Sequence, residues 1–482
     1  MGACGSQNQP REAGALLLLE KRCRVVKLSP GRLFLESPIL IVFAICSAFA
    51  IVRMAMVPGD ADIFWQEWLG RLILTTGHIP NALGAEVSSA PGSPWIAHEW
   101  LFSMAYAWLQ QHAAGNVALA LLMACALGAF AVTALRALDL GASVLATSLM
   151  LVVTLVVATP ALGLRIQMTS WLFAALLLAI LPHKRVRWVL LPLTVLWANV
   201  HASVVLAPLF IGIYGAGRAL EGRRDGASLG LLAVLCAVLT AASPLGLALP
   251  MYAISTLRSP AGPLTNEWKL PADAVLALAI VCITAIAFAP RSRVGTAERF
   301  VTLALFLMMA GARRHVPLFF IGAGPFAAAA FPLRSYGLVA QSRLAAALGA
   351  FVGIVAYIAV LLNVPAIGPL PAPLPVSATR YIARLPSARL FCNDFAWCGM
   401  LVGLPRVRVF LDGRGDPFPA RVWADYKIIH LEEGWNAALA RNGLDTVLIA
   451  RTDALAPRIA HSASWLRVYR DGTYEVYRRS PG

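Results

Sequence analysis

The feature that most constrains this chain is an apolar run that recurs along its first three-quarters, each copy close to or longer than the ~20 residues needed to cross a bilayer. Inside hydrocarbon a backbone must satisfy its own hydrogen bonds, so each run is expected to be a helix. Only 13% of residues are charged and 59% are hydrophobic, against about 25% charged in soluble domains. The class that follows is an all-α polytopic membrane protein. The net charge of +16 does not argue for nucleic acid, because most of the arginines and lysines outside the tail fall in the segments expected on the inner side of the runs. Orientation by cytoplasmic positive charge requires that pattern. The first forty residues lack the basic stretch, short apolar core and A-x-A site of a cleaved leader.

Lys21, Arg22, Arg24, Lys27 and Arg32 place residues 1–37 in the cytoplasm, and a first span at about 38–57 leads outward. Further spans are expected near 115–134 and 142–159, in a fourth segment that returns to the basic cluster His183-Lys184-Arg185-Val186-Arg187, and near 228–247, 272–290, 300–311, 317–333 and 344–364. Residues 188–220 are too long for one span at 1.5 Å per residue and are interrupted at Asn199 and His201, so they read as a hairpin with its tip outside. The total is about eleven spans within a transmembrane domain of residues 38–370, which includes a large first outer loop of 58–114. Residues 371–482 change composition and read as a small extracytoplasmic α/β domain. It has strand-like runs at 406–411, 446–450 and 474–477 and helical patterns near 377–385 and 418–442. Outside the cytoplasm Cys392 and Cys398 could pair, a spacing that permits a disulfide without demanding it. Cys46, Cys125, Cys236 and Cys282 lie in spans and read as packing residues.

This orientation, set by Lys and Arg alone, gathers the chemically interesting residues on the outer face. The first outer loop opens with Asp60 and Asp62 and holds Trp65, Trp68, Trp95, Trp100 and the pair His98-Glu99. Asp62 could cap the helix that follows, or one acid of the pair could be a general base; their i,i+2 spacing points them apart. His98-Glu99 either starts a helix over 98–112 or contacts substrate or metal, and two adjacent residues alone do not make a zinc site. Asn199 and His201 interrupt apolar sequence, where an unpaired polar group is costly. They read as functional or as a hydrogen-bonded structural pair. Arg165, Arg313, Arg314 and His315 are outer-face cations that either snorkel to the interface or hold a phosphate. Glu267-Trp268 offers a second acid with a stacking platform, or an anchor at the interface. Asp412-Gly413-Arg414 reads as a tight turn first and a site second. The chain has no Walker loop or Rossmann fingerprint.

Asp60-x-Asp62-x-x-Trp65, Gly77-His78-Ile79-Pro80, Pro94-Trp95, His98-Glu99-Trp100-Leu101, Trp197-x-Asn199-x-His201, Glu267-Trp268 and Asp412-Gly413-Arg414 together resemble the GT-C superfamily. These are integral membrane glycosyltransferases dependent on polyprenyl-phosphate sugars, and the nearest resemblance is to a bacterial group described as mannosyltransferase-like. The resemblance implies a GT-C-like fold in a bacterial cytoplasmic membrane with the C-terminal domain periplasmic. It further implies an inverting transfer from a polyprenyl-phosphate-linked sugar to an acceptor hydroxyl on a glycan, lipid or protein. Carried over, Asp60 or Asp62 is the base and Arg313, Arg314 and Arg165 hold the phosphate, with His98, Glu99, Asn199, His201, Glu267 and His315 as further substrate contacts. No metal ligand is assigned, and a divalent cation is left open. The chain departs from the family pattern after the second acid, where Phe64-Trp65-Gln66 replaces an expected Trp-Trp-His. Two other readings remain: a transporter or flippase of lipid-linked saccharide, and a non-catalytic partner in an envelope polysaccharide complex.

Overall fold

The computed structural model describes residues 60–112, 117–256, 265–331 and 374–480, with scattered residues between 42 and 53. The span expected at 344–364 lies outside the described residues, and the one at 38–57 largely so. The loop expected over 58–114 carries α1 (Asp62–Thr76) and α2 (Trp100–His112). Ten helices follow: α3 (Val117–Asp139), α4 (Val144–Ala158), α5 (Gln167–Ile180), α6 (Leu190–Val200), α7 (Leu206–Leu220), α8 (Gly226–Leu239), α9 (Ala248–Ser255), α10 (Asp273–Phe288), α11 (Thr296–Gly311) and α12 (Val316–Ala330).

Three described helices are long and apolar enough to cross a membrane, over Val117–Asp139, Val144–Ala161 and Ala202–Leu220. The other apolar helices at Gln167–Ile180, Arg187–Val200, Gly226–Leu239 and Asp273–Phe288 are shorter than the ~20 residues a straight span requires. The expected eleven spans are therefore not reached by length among the described residues. The bundle centres on α12, whose small residues leave every one of its side chains buried. Large apolar side chains such as Val238, Phe288, Leu303 and Leu307 point outward and are exposed, the distribution expected of a lipid-facing surface.

Residues 188–220 do run out and back. Arg187, before α6, meets Asp225, after α7, at 3.2 Å, and Arg218 reaches the same carboxylate at 3.2 Å. The chain reverses at His201, whose φ of −159° and ψ of 141° break the helix. The basic segments 183–187 and 218–225 thus share one end of the bundle, and His201 lies at the other.

The tail forms a five-stranded sheet in the order β2-β1-β3-β5-β4, with β1 Ala388–Cys392, β2 Val407–Val409, β3 Thr446–Ala450, β4 Trp465–Arg470 and β5 Tyr474–Arg479. β1 pairs parallel with β2 and β3, and β5 pairs antiparallel with β3 and β4. Helices Val376–Ile382, Ala420–Leu431 and Trp435–Arg441 accompany it, so the single helical pattern expected over 418–442 is two helices. Cys392 and Cys398 are disulfide-bonded with Cα atoms 5.9 Å apart.

The tail does not stand apart from the first loop. Trp65, Leu69, Leu83, Val87 and Trp95 share one core with Phe391, Val409, Trp423, Val447 and Val476. Val87 bridges the free edge of β2 at Val409. There the Val409 N–H donates to Glu86 O at 2.9 Å and the Ser88 N–H to Val409 O at 2.8 Å. An unpaired sheet edge would otherwise invite association, and here residues 86–88 cover it.

Candidate active site

Asp60 precedes α1, and its Oδ1 faces the Asp62 N–H at 3.4 Å. Asp62 is not the helix cap that its position allowed as an alternative. Ala61 holds that position and makes no side-chain cap bond, and Asp62 is the first helical residue. The two carboxylates therefore diverge. Asp60 Oδ2 lies 2.8 Å from Arg165 Nη2, whereas Asp62 Oδ1 is buried with no hydrogen-bond partner, as is the neighbouring Trp65 Nε1. Burial raises the proton affinity of Asp60, partly offset by Arg165. Burial and the charge of Asp60 raise that of Asp62 well above the ordinary carboxylate range.

Arg165, just before α5, is shared between two acids, since its Nη1 donates to Glu267 Oε1 at 2.5 Å. Burial would raise Glu267, but Arg165 and then Arg314 outweigh it and hold this carboxyl below its usual range. The guanidinium of Arg165 is thus committed to carboxylates, which leaves Arg313 and Arg314 as the cations for an anionic group. Both lie in the short turn Arg313–His315 before α12. Arg313 Nη2 donates to Leu270 O at 3.2 Å. Arg314 lies over the Trp268 ring at 5.1 Å and has no ion-pair partner among the described residues. His315 beside it is pushed down to about 4 by burial and by Arg314, so it adds no charge at neutral pH.

A second group lies behind the acids. Glu99 is buried and accepts from Gln66 Nε2, with His98 Nε2 at 3.3 Å and His201 Nε2 at 3.6 Å. Burial opposes charge on this pair, but the mutual attraction of Glu99 and His98 prevails, lowering the acid and raising the imidazole. Donor atoms of His98, Glu99 and His201 lie within 4.8 Å of one another, close enough for a shared divalent ion, so the adjacent pair gains the third ligand that the sequence alone did not provide. The wiring of His201 does not fit a metal ligand. The Ser203 N–H donates to His201 Nδ1 at 3.1 Å, so in the neutral ring Nε2 carries the proton and points it at Glu99. A metal-bound imidazole instead donates its second N–H to an oxygen. His98 has the suitable polarity, with Nδ1 3.3 Å from Ile96 O.

Asn199 does not join these groups. Its amide donates to Val195 O at 2.8 Å and Ala242 O at 2.9 Å, tying the end of α6 to the end of α8.

The tail completes the site. Gly413 packs against Asp62 so closely that a Cβ there would overlap Oδ1. Its neighbour Arg414 is buried between Trp68 and Trp95, 5.3 and 4.8 Å from their ring centroids, and is held by Asp412 at 2.6 Å and Glu86 at 3.0 Å. Asp394 also feels Asp60, and burial raises it to about 6. Tyr252 and Asp416 were not singled out as site residues, and Gln66 was noted only as a departure from the family pattern. That departure, Gln where the pattern has His, was the available signal for its place beside Glu99.

No protein-family model and no curated protein matches the chain. Solved structures do. Archaeal oligosaccharyltransferase AglB from Archaeoglobus fulgidus, in complex with an inhibitory peptide and a dolichol-phosphate, aligns over 92% of this chain and 74% of its own, with TM-score 0.60 and 10% identity. ArnT from Cupriavidus metallidurans bound to undecaprenyl phosphate aligns over 91% of this chain and 97% of its own, at 0.53 and 13%. The same protein in the apo state aligns over 97% and 98%, at 0.51 and 13%. The chain shares the fold of these solved structures. In this frame the acids Asp60 and Asp62, the Arg165 turn, the His201 reversal and the Arg313–His315 turn meet at one end of the bundle.

Proposed function

We propose that this chain is a membrane glycosyltransferase that moves a sugar from a polyprenyl-phosphate donor to an acceptor hydroxyl on the outer face of a bacterial cytoplasmic membrane. The observation that carries the reading is the meeting of two unlike carboxylates, Asp60 and Asp62, with the cations Arg165 and Arg314 at one end of a GT-C-like bundle. AglB and ArnT, which share the fold, were solved with dolichol-phosphate and undecaprenyl phosphate.

Asp62 is the base in this reading. A general base works best when its pKa lies near the working pH, and burial moves Asp62 that way without a salt bridge to quench it. The acceptor hydroxyl gives its proton to Asp62 as its oxygen bonds to the anomeric carbon. The bond from that carbon to the phosphate oxygen breaks from the opposite face, and its electron pair leaves with polyprenyl phosphate, so the anomeric centre inverts. Arg314, with Arg313 beside it, stabilises the leaving phosphate, as a guanidinium suits phosphate oxygens. Asp60 and Glu267 fix Arg165, and the His98-Glu99-His201 group shapes the acceptor side. No metal step is part of this mechanism. Purified protein in nanodiscs given radiolabelled polyprenyl-phosphate sugars should release polyprenyl phosphate when an acceptor extract is added. No release across a panel of donor sugars would overturn the reading.

A further inference from the structure

A cavity of about 150 Å³ opens beside the candidate site, between the first loop, α9 and the turn after β2. Trp95 and Ile96 form one wall, Tyr252 and Ser255 of α9 another, and Arg414 and Asp416 of the tail the third. The Tyr252 hydroxyl donates to Asp416 Oδ2, and the Tyr252 ring stacks on His98 with centroids 4.5 Å apart. A ligand in the cavity would therefore lie one ring away from the His98-Glu99 pair, on the side of the bundle that the tail covers.

Two properties decide what it can hold. The first is size: roughly 150 Å³ is the volume that holds benzene, so one edge of a single sugar ring enters and the rest stays at the open mouth, whereas sites that enclose larger ligands run to about 300–1,000 Å³. The second is charge. Arg414 is the cation of the lining, and Asp412 and Glu86 already bind it, through Nε and Nη2 at 2.9 and 2.6 Å and through Nη1 at 3.0 Å. With Arg414 neutralised by these two acids, which lie outside the lining, Asp416 is the remaining charge of the cavity wall, so a phosphate or carboxylate ligand would be repelled. A carboxylate acceptor set among Trp, Ile and Tyr walls instead suits hydroxyl donors on a compact apolar-faced ring.

We propose that this cavity is the acceptor subsite and that it receives one uncharged sugar ring, whose hydroxyls donate to Asp416. The proposal rests on the transferase reading above and names the acceptor class as a neutral saccharide, in place of an anionic lipid headgroup or a peptide.

The test is binding, read without turnover. The full chain in nanodiscs is titrated with methyl glycosides of glucose, galactose, mannose and N-acetylglucosamine, and with glucuronate, by saturation-transfer difference NMR. At least one neutral glycoside should bind, Asp416→Asn should weaken it at least tenfold, and glucuronate should bind at least tenfold more weakly than the neutral ring. Tyr252→Phe keeps the ring against His98 and removes only the hydroxyl that orients Asp416; it should weaken binding severalfold and serves if Asp416→Asn does not fold. No neutral glycoside binding, binding unchanged by both variants, or tighter binding of glucuronate would each overturn the proposal. Because no donor is present, binding without transfer would sink the transferase reading alone, and transfer without binding would sink the subsite alone.

Discussion

Asp62→Asn should abolish transfer while making the protein more stable at neutral pH, and by more than Asp60→Asn does. Asp62 is half-buried with Oδ1 enclosed beside the Trp65 indole, has no ion pair among the described residues, and faces the charge of Asp60. Its folded-state pKa stands above the ~3.9 of an unfolded Asp. The native state therefore binds more protons between those two values, and stability falls as pH rises through the folded pKa. A buried polar group left unsatisfied costs about 1–3 kcal/mol, more if charged. Asn removes the charge and keeps the shape, so a gain of roughly 1 kcal/mol is expected at about pH 7.5, shrinking to nothing near pH 4. Asp60 differs because Arg165, at 2.8 Å, offsets part of the burial that raises it. Its neutralisation should therefore gain less than that of Asp62, and Arg165 keeps Glu267 as a partner. Thermal unfolding in nanodiscs at both pH values, with donor release measured in parallel, checks the pair. Removing the base should lower transfer by about 10²–10⁴-fold. An Asp62→Asn protein that keeps more than a tenth of its activity, or melts below wild type at neutral pH, would refute the reasoning.

Arg165→Met should destabilise the fold by about 3 kcal/mol, the low end for a buried pair broken on one side; adding Glu267→Gln should recover part of that loss in a chemical-denaturation series. Gly413→Ala should lower transfer by up to about 100-fold, since a displacement near 1 Å can cost that much, while circular dichroism shows the tail sheet intact. Chelation with EDTA should leave transfer within about twofold, because His201 presents an N–H to Glu99 where a ligand would present a lone pair; loss of activity restored by added metal would reverse that assignment.

Much of the site was legible because membrane sequence is sparing with charge. Asp60, Arg165 and Glu267 stood out as polar residues at the ends of apolar runs, and charge bookkeeping put them on one face before their ion pairs were seen. Asn199 stood out for the same reason yet serves two backbone carbonyls, a demand set by how α6 meets α8 and not visible locally. The sheet was half legible. β3 and β5 have β-branched and aromatic runs, whereas β1, with Ala388 and Arg389, owes its place to pairing on both sides. The larger omission was the union of the first loop with the tail. Contacts such as Glu86–Val409 and Asp62–Gly413 join residues more than three hundred positions apart, and no local pattern encodes such a partner. Tyr252 and Asp416 were missed for that reason, as each reads as an ordinary interfacial or turn residue until the two elements meet.

The most direct test of the central claim follows both products of one reaction. Purified protein is given a single polyprenyl-phosphate sugar of known anomeric configuration and an acceptor it uses. Released polyprenyl phosphate and new glycoside are counted, and the glycosidic linkage is assigned by NMR. The account predicts one polyprenyl phosphate per glycoside, with the configuration inverted and both products lost in Asp62→Asn. A retained configuration, or both products formed at wild-type rate by Asp62→Asn, would contradict it.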